Sequence, residues 1–212
     1  MKTDELINAL AVDRARPGVR QSHIWLVAGV IGVLVAGLVF FAGIGPRPDI
    51  AGAVATLRFL FKFVVTLALA GSAFIVLDRL ARPGAARTTN LVWLLLAPAL
   101  LLGAVGLELL TQPEAQWQML AVGKNSRVCL TWIPLIGSGP LALFIFALRL
   151  GAATRPGLAG VIAGLVAGGV AATFYAAHCT DDSPLFVVTW YPLAVAILGV
   201  AGGVAGRLFA RW

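Results

Sequence analysis

Six apolar stretches, each about twenty residues long, constrain this chain more than any other feature. They run over Ile24 to Ile44, Ala55 to Leu77, Leu91 to Leu110, Leu130 to Leu148, Gly157 to Ala177 and Leu185 to Gly206. About twenty helical residues span the ~30 Å hydrocarbon layer of a bilayer. Inside that layer a lone segment satisfies its backbone only by becoming a helix. Charge content agrees, because only 12% of residues are charged, against about 25% in a soluble domain. Mean hydropathy is +0.94. The expected fold is an all-α integral membrane protein with six transmembrane helices. The polar head of 23 residues is too long for a cleavable signal peptide, as is the apolar run behind it. The chain therefore divides into a polar segment, residues 1–23, and a transmembrane domain, residues 24–212.

The basic residues give this bundle a direction. Lys2, Arg14, Arg16, Arg20, Arg79, Arg82, Arg87, Arg149, Arg155, Arg207 and Arg211 fall on one side, eleven in all. The other side receives three, Arg47, Lys124 and Arg127. By the positive-inside rule the richer side is cytoplasmic, and an even number of spans puts both termini there. The location implied is the bacterial inner membrane. This reading also accounts for the net charge of +7, which in a soluble protein would suggest nucleic acid. Direct nucleic-acid binding is not expected, although the basic loops suit anionic lipid headgroups.

The polar head carries a short amphipathic helix. Thr3 can cap it, with Asp4 and Glu5 in the first turn, where negative charge is favoured. Leu6, Ile7, Leu10 and Ala11 then share a face, with Asp4 and Asn8 opposite. About ten residues are marginal as an isolated helix in water, so the segment needs a partner surface. Gly160, Gly164 and Gly168 in the fifth stretch, and Gly199, Gly202, Gly203 and Gly206 in the sixth, have the spacing of close helix packing. Pro134 and Pro140 are expected to break the fourth span and make it a flexible point.

Chemistry concentrates in His178-Cys179-Thr180-Asp181-Asp182-Ser183-Pro184, between the fifth and sixth stretches. The second cysteine, Cys129, falls at the same outer side. Three uses suit this set: a structural disulfide, a reversible redox disulfide, or a site for zinc or another thiophilic metal. The metal site would use Cys129, His178 and Cys179 with Asp181 or Asp182. No obligatory cofactor is expected. Arg58 and Lys62 lie one turn apart in the second span, near enough to its outer end to snorkel, with Glu108 at similar depth as a partner for one of them. Intramembrane charges can also serve a small transporter. A membrane thiol–disulfide protein is the other rival. No hydrolase elbow, metalloprotease motif, P-loop, haem-attachment motif or Cys-x-x-Cys occurs, so the chain does not read as an enzyme.

The opening Lys2-Thr3-Asp4-Glu5-Leu6-Ile7-Asn8-Ala9-Leu10-Ala11, the six spans, the isolated Cys129 and the stretch His178 to Pro184 together resemble the NrsF family. These are membrane anti-sigma factors that restrain bacterial extracytoplasmic-function sigma factors. The resemblance implies a cytoplasmic N-terminal segment that holds a sigma factor, with Thr3, Asp4, Leu6, Ile7 and Leu10 in the contact. It further implies that heavy metal or oxidant is sensed at Cys129 and Cys179, and that sensing releases the sigma factor.

Overall fold

The computed structural model describes residues 21–81, 91–151 and 153–210. The segment expected to bind the sigma factor, with Thr3, Asp4, Leu6, Ile7 and Leu10, lies outside them. Every element among the described residues is helical. α1 is Gln21–Gly43, α2 the single turn Ile50–Ala53, and α3 Leu57–Leu80. A 3-10 turn, Leu91–Leu95, leads into α4, Leu96–Thr111. α5 is Glu114–Val122, α6 Ser126–Arg149, α7 Pro156–Ala176 and α8 Pro184–Phe209. Six of these runs are long and apolar enough to cross a membrane: α1, α3, the turn with α4, α6, α7 and α8.

α7 is the core of the bundle. It packs on α8, α3, α6 and, less extensively, α1, and its composition explains why. In lipid no hydrophobic effect drives helices together, so close backbone packing must supply the attraction. α7 and α8 run antiparallel with Gly160 against Gly202, Gly164 against Leu198 and Gly168 against Val195. A Cβ at Gly160 would drive into the carbonyl of Gly202, and one at Gly164 into that of Leu198. The expected glycine seam is therefore real for these positions. Gly199 is different, since the nearest atom to a Cβ there is 3.8 Å away. α4 sits at the periphery on α3 and α8.

α6 departs from expectation. It is one continuous helix from Ser126 to Arg149, with Pro134 and Pro140 inside it. A break would strand several backbone groups in hydrocarbon, whereas each proline removes only one bond. Pro140 is buried and packs against Gly32 of α1. The helix also starts earlier than the apolar pattern implied, so Cys129 lies in its first turn. α2 and α5 were not legible at all, being short and lacking a strong apolar stripe.

The spans alternate in direction. The end of α1 and the starts of α3, α6 and α8 meet around residues 177–183, the loop after α7. The start of α7 meets the end of α8 at the far end, where Gly206 packs on Pro156.

Candidate functional site

The loop following α7 is pinned residue by residue to the elements around it. α1 closes with Gly45 at φ +60°, where glycine is favoured, and the Gly45 amide donates to Phe40 O at 2.9 Å. This turn leaves the Gly45 carbonyl free to accept from His178 Nδ1 at 2.9 Å. Because a carbonyl can only accept, Nδ1 carries the proton. The next contacts come from buried cations. Lys62 Nζ, on the first turns of α3, donates to the Cys179 carbonyl at 2.8 Å and pairs with Asp182 Oδ1 at 2.5 Å. Lys62 is 1% exposed, so it does not snorkel.

Arg47 completes the same network. It holds Asp49 through both carboxylate oxygens at 2.7 Å and reaches Asp182 at 2.9 Å. Its backbone amide donates to Ala177 O at 3.0 Å, and Nη1 reaches the Cys179 carbonyl at 3.3 Å. The Phe59 ring lies 5.8 Å from this guanidinium and 5.3 Å from the Lys62 ammonium, within cation–π range. Hydrogen bonding to Asp49 raises the affinity of Arg47 for its proton, partly opposed by burial. The same bond holds the Asp49 carboxyl below its ordinary range. Two cations thus face two carboxylates under one loop, so the buried charges are compensated.

Asp181 serves α6. Its Oδ2 accepts from the amides of Lys124 and Asn125, at 2.9 and 2.8 Å, and from Asn125 Nδ2 at 2.9 Å. A carboxylate at a helix start satisfies amides that have no partner within the helix and complements the helix dipole. Gly123 permits this approach: φ is +60°, and a Cβ would lie 2.8 Å from Asp181 Oδ2 and inside the Phe186 ring. Glu108 does the same for α8. Its Oε2 accepts from Ser183 Oγ at 2.7 Å and Leu185 N at 2.9 Å, while Oε1 faces Arg58 at 3.3 Å. Glu108 is buried and Arg58 is half exposed.

These contacts correct part of the sequence reading. Cys129 and Cys179 are free thiols, so the disulfide expected in two of the three readings is not formed. Neither faces an aqueous mouth; both are fully buried. Burial pushes the Cys179 thiol above its ordinary range, and Sγ points to the Asp181 carbonyl at 3.6 Å. Among the described residues no three His, Cys, Asp or Glu side chains gather to hold a metal ion. Cys129, His178, Cys179 and Asp181 are accordingly not gathered as a ligand set: His178 Nδ1 bonds the Gly45 carbonyl and Asp181 Oδ2 the amides of Lys124 and Asn125. Arg58, Lys62 and Glu108 act in ion pairs: Glu108 pairs with Arg58, and Lys62 with Asp182. Arg47, Asp49 and Asn125 were missed as site residues. The sole sequence signal was the close spacing of Arg47 and Asp49, since the other partners lie more than fifty residues away.

Comparison with known proteins covers the whole chain. The family model NrsF, negative regulator of sigma F, matches residues 9–212. The anti-sigma-F factor NrsF of Caulobacter vibrioides is 38% identical over 220 aligned positions, spanning all of both chains. The probable anti-sigma-F factor NrsF of Azospira oryzae is 34% identical over 219 positions, again spanning both. No solved structure matches.

Proposed function

The chain belongs to the NrsF family of negative regulators of sigma F, and from that premise we propose how it restrains and releases its sigma factor. The family is one of regulators, not enzymes, and it implies a sigma factor as partner. In our reading the bundle sits in the bacterial inner membrane with both termini cytoplasmic, as the eleven-to-three division of basic residues favours. Residues 1–23 hold an extracytoplasmic-function sigma factor through Thr3, Asp4, Leu6, Ile7 and Leu10. The loop of residues 177–183 is the input on the outer side.

One observation carries the placing of the input. Consecutive residues of this loop are bonded to the ends of α1, α3, α4 and α6. A reagent that displaces the loop therefore loosens four helices at once, which is the kind of two-state element that coupling between distant sites requires. Thiophilic metal or oxidant acting at Cys179 and Cys129 would do this, because either must pry a buried thiol from beneath the loop.

The test uses the full chain with its sigma factor. Co-purification should be lost on deleting residues 1–23. Cys129→Ser and Cys179→Ser should hold sigma-dependent transcription low under a thiophilic metal or an oxidant. A truncated chain that still retains the sigma factor sinks the placing of the output. Induction unaltered by either serine variant sinks the placing of the input.

A further inference from the structure

A separate feature lies at the far end of the bundle, on the outer flank of α7 and α8. Between the two helices is a cavity of about 380 Å³, lined by Leu158, Val161, Val200 and Val204, with Arg207 at its end. Gly157 and Gly203 make the space, since neither places a side chain in it. The Arg207 stem lies across the open face of Gly157: a Cβ there would stand 2.8 Å from Nε and 2.9 Å from Cγ.

Among the described residues, Arg207 and Arg155 beside this cavity have no carboxylate partner. Arg207 is exposed and makes no ion pair among the described residues, whose pairs involve Arg47, Arg58 and Lys62 at the loop end. Arg155, directly before α7, is also exposed, with no side-chain bond to the helix start. Arg79 and Arg149 end their helices on the same side. Apart from Asp78, near the end of α3, the carboxylates of the described residues belong to the loop end. An apolar slot between two candidate membrane spans thus terminates in cations at their far end.

We propose that this cavity binds an anionic phospholipid. One acyl chain lies along Leu158, Val161, Val200 and Val204, and the phosphate pairs with Arg207, with Arg155 as a second cation. Charge decides the occupant. A second copy meeting this face across a two-fold axis would bring Arg207 toward its own equivalent, and a zwitterionic lipid would gain little from two arginines. The inference is independent of how the sigma factor is bound or released.

The test is native mass spectrometry of the full chain in mild non-ionic detergent, with dioleoyl phosphatidylglycerol or dioleoyl phosphatidylcholine added. The phosphatidylglycerol adduct should predominate. Arg207→Gln should weaken it about fivefold, the effect of one surface arginine on an anionic lipid. Val204→Trp should weaken retention of both lipids by filling the slot. Both side chains are exposed, so each variant should unfold at the parent's temperature without lipid. Equal retention of the two lipids by the parent chain overturns the proposal, as does an undiminished phosphatidylglycerol adduct in Arg207→Gln.

Discussion

Lys62 shows how much a single side chain carries here. Its ammonium is buried and has Asp182 and the Cys179 carbonyl as partners. Removing one partner of a buried pair strands the other charge, at a cost of about 3–5 kcal/mol. Asp182→Asn should therefore lower stability by about 3 kcal/mol. Lys62→Met should cost less, because Asp182 keeps Arg47. The double variant should recover part of the loss. Thermal unfolding in detergent checks all three, and an Asp182→Asn protein as stable as the parent would refute a stabilising role for the Lys62–Asp182 pair. Asp49 gives a pH dependence. Its folded pKa is depressed by Arg47, so its contribution is fully present above the unfolded value of about 4. That contribution is lost as pH falls through the lower folded value. Asp49→Asn should flatten this acid limb of the stability profile: the parent should be the more stable protein near neutrality, and the difference should vanish as pH falls below the folded value.

Among elements, the α7–α8 pair is the least tolerant of change. A methyl at Gly164 meets the Leu198 carbonyl and the Gly199 backbone, none of which can yield without moving a helix. Gly164→Ala should cost about 1–3 kcal/mol, the usual range for overpacking. Gly199→Ala meets only the tip of Leu165 at 3.8 Å and should stay within about 0.5 kcal/mol of the parent. Chemical denaturation in detergent separates the two. The glycine spacing was readable, but not which glycines matter. That depends on the rotation of each helix, which a repeat of small residues leaves undetermined. α6 teaches the converse. Its prolines were legible as breaks, and the absence of competing water kept the helix whole.

At the scale of the whole molecule, the alternating spans put Arg127 and Arg207 at opposite ends of the bundle. With Cys129 and Cys179 replaced by serine, a new cysteine at position 127 should react with a membrane-impermeant maleimide in spheroplasts. One at position 207 should react only after lysis. The reverse pattern would invert the orientation. The topology also explains why one loop can join so many helices. Three up-and-down hairpins bring every second connection to the same end, and the α7–α8 connection there is central because α7 is.

Span number, helical class and the charge bias were determined by the sequence alone. Hydrocarbon admits a single helix of about twenty residues and few other solutions, so composition and length suffice. The family likeness was also legible, in the opening ten residues and in His178 to Pro184. Tertiary structure decided the roles within that second stretch. Its cysteines, histidine and aspartates resembled a ligand set because they are adjacent in the chain. Once folded they diverge: His178 turns to α1, Asp181 to α6, Asp182 to Lys62 and Arg47, and Cys179 into the interior. Spacing along the chain carries no information about partners 56 to 135 residues away. Only the packed bundle supplies them.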